Sequence, residues 1–159
     1  KIQKHLESKG KTVIAWDDVI EGKVNSNLVL MYWRDWLKES PEKCAGNGNK
    51  IILTPWSPFY LSGNHSDETL EELYVYDPFK SFTTDVTKNV IGLQSCVWTE
   101  EIPSENRFEY MVYPRLQAFS EVAWGTNNNY ESFKNRLQRH FEYMNNQLIH
   151  YREPTWNTK

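Results

Sequence analysis

The chain has 159 residues, 39% of them hydrophobic and 25% charged, with a formal net charge of -3. That profile fits a folded domain and excludes a disordered segment. With a pI of about 5.8 and no basic stripe, it lacks the electrostatic footprint of nucleic-acid binding, and no apolar run approaches the ~20 residues of a membrane-spanning helix.

The opening stretch, KIQKHLESKGK, reads as an amphipathic helix with a glycine stop at Gly10. A chain that opens inside a helix is expected to be part of something longer. Short, nearly continuous apolar runs follow at Thr12–Trp16 (TVIAW), Leu28–Trp33 (LVLMYW), Ile51–Leu53 and Val90–Trp98. They lack the alternation of a half-exposed sheet and suit parallel strands covered on both faces. RDWLKE, after the second run, is helix-like. Ser57–Asn89 is expected as a long irregular connection, a kind that often carries function, with Asp77-Pro78 as a turn.

Arg107–Trp124 predicts one helix, because Phe108, Met111, Val112, Leu116, Phe119 and Val122 recur at helical spacing. Tyr130–Tyr151 predicts another, with a stripe of Tyr130, Phe133, Leu137, Phe141, Met144, Leu148 and Tyr151. Asn127–Asn129 separates the two, and the tail after Tyr151, with Pro154, is expected to fray. Strands joined through helices predict an α/β fold with a parallel sheet. Four such β/α units amount to half of a TIM (β/α)8 barrel.

The two cysteines, Cys44 in a Gly/Asn-rich loop and Cys96 in an apolar run, form no CxxC pair and no metal-spaced cluster. Both are expected to be free thiols, and neither metal nor cofactor is expected. His5, His65, His140 and His150 are scattered and are expected to be solvated or capping. Glu121 is expected to pair internally.

Chemistry gathers where the strands end. Three of the runs end on Trp16, Trp33 and Trp98, and the remaining one leads into LTPWSPFYLSG with Trp56 and Tyr60. Ligands of parallel α/β folds bind at the carboxyl ends of the strands. A single aromatic there is usually core, but aromatics at the same end of every strand suit a pocket with flat apolar walls. Glu100 and Asp17 are placed to bond hydroxyls there, which suits a carbohydrate. Successive strand residues point to opposite faces, so Asp17-Asp18 and Glu100-Glu101 can each send one member inward. Asp18 and Glu101 are read as solvated rim charges, and Asp17 stays open between the two readings.

The stretches TVIAWDDVIEG, LVLMYWRDW, KIILTPWSPFYLSG, LYVYDPF, NVIGLQSCVWTEEI and YPRLQAFSEVAWG occur in this order. Together they resemble the C-terminal half of the catalytic barrel of family 20 glycoside hydrolases, the β-N-acetylhexosaminidases. The resemblance covers residues 1 to about 150 and implies residues 1–151 as barrel and 152–159 as tail. It implies removal of terminal β-linked N-acetylglucosamine or N-acetylgalactosamine from glycans, the substrate's own acetamido oxygen serving as nucleophile. Trp16, Trp33 and Trp98 then look like pocket walls, Tyr60 like the hydroxyl that aims the acetamido oxygen, and Glu100 like the acid holding the sugar's distal hydroxyls.

Two features depart from the family pattern. Ser62 stands where the family often has Asp or Asn. The His-x-Gly-Gly-Asp-Glu motif that carries the acid-base pair does not occur in the chain. The segment alone is therefore expected to be inactive, with the missing first half of the barrel as its partner and self-association through exposed edges. Arg34 and Arg115 are not expected to replace the family's sugar-gripping arginine; Arg115 is read as part of a structural ion pair. By resemblance the compartment is secreted, periplasmic or lysosomal. The alternative is a non-catalytic carbohydrate-binding module that keeps the aromatic rim.

Overall fold

The apolar runs form strands, as expected, and the strands join in chain order. The computed structural model describes residues 1–125 and 129–157. In it β1 (Ile14–Trp16), β2 (Val29–Tyr32), β3 (Ile51–Leu53) and β4 (Val90–Leu93) form a sheet of order β1-β2-β3-β4. Every neighbouring pair is parallel. Each crossover therefore moves one strand along in the same direction, as in the wall of a barrel; a doubly wound sheet would reverse its order at a switch point. The helices are α1 (Ile2–Ser8), α2 (Glu39–Gly46), α3 (Trp56–Phe59), α4 (Asp67–Tyr74), α5 (Thr84–Asn89), α6 (Glu105–Val112), α7 (Arg115–Trp124) and α8 (Tyr130–Asn146).

The chain divides into two compact units: Lys1–Ser57 with Pro78–Gln94, and Pro58–Asp77 with Ser95–Lys159. The first holds the whole sheet. Its core is Ile20, Leu30, Tyr32, Cys44, Ala45, Ile51, Leu53 and Val86, with Phe82, Val90 and Leu93 packed against it. Full burial of an aliphatic or aromatic side chain of this size contributes about 1.5–3 kcal/mol relative to exposure. The central strands β2 and β3 supply half of this core, and the 3-10 helix, α2 and α5 the rest. The outer strands β1 and β4 are buried less, and Ile14 and Ile91 are 52% and 58% exposed. Ile91 protrudes because the β3–β4 register slips there, with Ile51 opposite Val90 but Ile52 opposite Gly92.

The second unit packs helices around Phe59, which is fully buried and meets Phe119 edge-on at 5.0 Å and Tyr76 at 5.3 Å. On α8 the predicted stripe holds at Phe133, Leu137, Phe141 and Met144, all buried. It fails at Leu148, which is 90% exposed with φ 58, where the chain leaves the helix. Asn129 caps α8, its side chain accepting from the Ser132 N–H at 2.9 Å. The rest of the expected Asn127–Asn129 break lies outside the described residues.

Four other expectations change. The connection 57–89 is not irregular: it contains α4 and α5 and the end of α3. Ser66 starts α4 with a reciprocal capping box, and Thr83 caps α5. Arg107–Trp124 is two helices, because Tyr113 is extended before Pro114, where the helical conformation is disfavoured. Cys44 is buried in α2, which starts later than RDWLKE suggested. The tail does not fray: Arg152 pairs with Asp67, Thr155 also bonds Asp67, Pro154 is buried, and Trp156 faces Phe141. Residues 158–159 of that tail lie outside the described residues.

Candidate functional site

Trp16, Asp17 and Trp33 belong to the first unit, and Tyr60, Trp98 and Glu100 to the second. In the first unit β1 ends on Trp16, half-buried, and the chain turns at once into a 3-10 helix, Asp17–Glu21. Asp17 corrects the expectation of a hydroxyl-binding acid. It is fully buried, and its oxygens accept from Arg34 Nε at 3.1 Å and Ser40 Oγ at 3.3 Å. Arg34 also donates to the Asp17 carbonyl at 2.9 Å and to Glu21 at 2.9 Å. Burial pushes the Asp17 carboxyl above its ordinary value, against the pull of the Arg34 guanidinium. The group is a clamp between the ends of β1 and β2, closed to a ligand.

Asp18 is exposed, as read, but it is not merely solvated. Trp33 Nε1 donates to its Oδ2 at 2.8 Å, which sets the angle of the indole. The two acids of one dipeptide thus each hold a residue that follows β2: Asp17 holds Arg34 and Asp18 holds Trp33. Trp36 meets the Trp33 ring edge-on at 5.2 Å. The Trp33 carbonyl accepts from the Trp56 N–H at 2.9 Å, and Asp35 accepts from the Ser57 N–H at 3.1 Å, which ties the residues after β2 to the start of α3.

In the second unit Tyr60 lies beside Cys96 in a parallel bridge. Cys96 donates to the Phe59 carbonyl at 2.9 Å, and Leu61 donates to the Cys96 carbonyl at 2.7 Å. This pairing carries the Tyr60 ring to the Trp98 ring, 6.2 Å away and 26° from parallel, within the range of a favourable aromatic pair. Ser62 Oγ accepts from the Trp98 N–H at 3.3 Å, so both ends of Tyr60-Leu61-Ser62 touch the Cys96–Trp98 segment. Tyr60 is 7% exposed and Trp98 42%, which leaves indole surface open to a ligand. Glu100 is exposed on the turn that follows. Val90–Trp98 is therefore not one strand: β4 ends at Leu93, and the last residues pair with the chain at Tyr60 instead.

Arg115 and His65 correct the sequence reading. Arg115 is 3% exposed and donates to the main-chain carbonyls of Met111, Asn64 and Leu61, with no carboxylate partner among the described residues. Burial lowers its pKa to about 10. It ties the segment after Tyr60 to the end of α6. His65, expected to be solvated, is 9% exposed, and its Nδ1 lies 2.9 Å from the Tyr110 carbonyl. Burial, reinforced by the nearby Arg115 charge, lowers its pKa to about 3. Glu121 pairs with Arg136, as expected.

Residues 1–127 match the family described as Glycosyl hydrolase family 20, catalytic domain. The chain is 31% identical over 135 residues to a Beta-hexosaminidase of Porphyromonas gingivalis, an alignment covering 77% of this chain and 17% of that protein. A GH20 exo β-N-acetylglucosaminidase from Vibrio harveyi, solved with N-acetylglucosamine, superposes with a TM-score of 0.84 at 26% identity. That match covers 96% of this chain and 26% of that one. The GH20 β-N-acetylhexosaminidase of Streptomyces coelicolor shares the fold, with a TM-score of 0.85 at 22% identity over 97% of this chain and 35% of that one. This chain thus spans between a sixth and about a third of these relatives. With the strand order, these matches identify the sheet as part of a (β/α)8 barrel, and the chain belongs to glycosyl hydrolase family 20.

Proposed function

We propose that this chain is the C-terminal part of a β-N-acetylhexosaminidase barrel, and that it supplies the walls and the aiming hydroxyl of the sugar pocket. The reaction releases a terminal β-linked N-acetylhexosamine, and the acetamido oxygen of the substrate attacks its own anomeric carbon. Holding that oxygen in line converts the attack into an oriented intramolecular step, which can remove several kcal/mol from the barrier. The observation that carries this reading is the Tyr60–Trp98 pair, with Ser62 fastened to the Trp98 main chain. An indole wall and a phenol held this firmly suit an apolar acetamido methyl group beside its polar oxygen. In the first unit the Asp18–Trp33 hydrogen bond fixes a second indole in the same manner. Trp16 is assigned as a further wall and Glu100 as the acceptor for distal hydroxyls. Asp17 acts behind them, by holding Arg34.

Protonation of the leaving oxygen needs a carboxylic acid, which we assign to a part of the barrel outside these 159 residues. The test is hydrolysis of an aryl N-acetyl-β-glucosaminide by this chain and by a polypeptide that also carries the earlier strands. Turnover only by the longer polypeptide is the expected result. Turnover by the short chain contradicts the division of roles. Sugar binding without hydrolysis by either favours a non-catalytic carbohydrate-binding module.

A further inference from the structure

Within the second unit a cavity of about 290 Å³ is lined by Ser62, Gly63, Asn64, His65, Glu101, Arg107, Tyr110 and Met111. Its floor is buried at His65 and Met111, and its rim is exposed at Gly63, Asn64, Glu101 and Arg107. The size lies at the small end of ligand pockets, roughly 300 Å³. Of these residues only Ser62 enters the pocket proposed above.

His65 specifies the ligand chemistry. The Tyr110 carbonyl can only accept, so His65 Nδ1 carries the proton and Nε2 is a bare lone pair. That Nε2 is buried and has no hydrogen-bond partner among the described residues. It needs a donor, and the depressed pKa of the ring keeps it an acceptor at neutral pH. Glu101 adds acceptors at the rim. Arg107 adds donors, its guanidinium held 5.4 Å over the Tyr110 ring, while its main-chain N–H donates to the capping Ser104 Oγ at 3.2 Å. A ligand satisfying this set must both donate and accept at neighbouring atoms while carrying no net charge. A fully deprotonated anion such as sulfate offers no hydrogen to Nε2, and any anion meets the Glu101 charge. Vicinal hydroxyls on a ring offer both.

We propose that this cavity is a binding site for one neutral saccharide ring, with a ring hydroxyl donating to His65 Nε2 and its neighbours bridging Glu101 and Arg107. The site stands apart from the acetamido pocket and does not depend on the hydrolytic reading. The test is a titration of the histidine-¹⁵N-labelled protein with methyl β-glucoside and, separately, with inorganic sulfate. The readout is the His65 imidazole ¹⁵N resonance, which moves when Nε2 accepts a hydrogen bond. A saturable shift with the glucoside is expected, with affinity at least tenfold weaker in Glu101→Gln and in Arg107→Gln. Both substitutions lie on the exposed rim and leave the buried floor intact. A shift with sulfate alone makes this an anion site and overturns the proposal. No shift with either probe makes it a hydrated crevice and overturns it equally. If the longer polypeptide cleaves no aryl glycoside while the glucoside shift is present, the proposed activity is contradicted and this site is supported.

Discussion

Tyr60 carries the sharpest consequence at the scale of a single residue. Tyr60→Phe keeps the ring against Trp98 and removes only the hydroxyl. In a polypeptide with turnover, kcat is expected to fall about 10²-fold, the scale of losing one preorganised donor, with KM little changed and thermal stability near the parent's. An unchanged kcat contradicts the aiming role. Asp18→Ala separates wall from hydroxyl. It removes the hydrogen bond from Asp18 that orients the Trp33 indole, so KM should rise several-fold while kcat holds; equal loss in both would instead place Asp18 in the chemistry. His65 makes a prediction of a different kind. Its folded pKa is about 3, below the ordinary ~6.5, so the unfolded chain takes up its proton first. The stabilisation is complete above about pH 6.5 and is lost as pH falls toward 3, at up to about 1.4 kcal/mol per unit. Urea unfolding across this range should show a steeper profile than His65→Gln; parallel profiles contradict the assignment. The sequence shows some of these residues and hides others. A tryptophan that ends an apolar run is a local signal, so Trp16, Trp33 and Trp98 are legible. Asp18 is hidden because its partner lies 15 residues away, and Arg115 because its carbonyl partners at Asn64 and Leu61 lie 51 and 54 residues away.

At the scale of an element, periodicity located the helical stretches after residue 105 but missed their ends, and it missed α4 and α5 altogether. The α8 stripe is legible through Met144 because 3.6-residue spacing persists that far. It then counts Leu148, whose positive φ no periodic count reveals. Leu148 sits in a left-handed turn after α8, where Leu148 N–H donates to the Asn145 carbonyl at 3.1 Å and Ile149 N–H to Met144 at 3.0 Å. A side chain with a Cβ costs roughly 1–2 kcal/mol in that conformation, and Leu148 buries almost nothing in return. Leu148→Gly is therefore expected to stabilise the protein by about 0.5–1 kcal/mol, part of the gain being offset by the freer unfolded chain. A fall in melting temperature would contradict it. The break between α6 and α7 was present in the sequence at Pro114, whose ring disfavours a helical Tyr113, but the apolar spacing runs straight across it. Ser66, Thr83, Ser104 and Asn129 cap α4, α5, α6 and α8, a signal that a count of apolar spacing does not weigh.

For the whole molecule, the α/β class and the parallel sheet were legible because runs such as Leu28–Trp33 and Ile51–Leu53 leave no polar face. The outer strands were less so: Ile14 and Ile91 look like core in the sequence and are exposed in the sheet. With β1 and β4 at the two edges of the sheet, this chain by itself is expected to self-associate through edge backbone and these isoleucines. Static light scattering is expected to give a mass of two chains or more, falling when Ile91 is replaced by Lys. A dilute monomer contradicts it. The proposed function turns on the Tyr60–Trp98 pair holding an N-acetyl group. Its most direct test is a crystal structure of a longer polypeptide containing this chain, bound to a cyclic mimic of the oxazolinium intermediate. The expected result is the mimic's methyl group against the Trp98 indole and its ring heteroatom, at the place of the acetamido oxygen, within hydrogen-bond reach of the Tyr60 hydroxyl. A mimic bound away from these two side chains would contradict it.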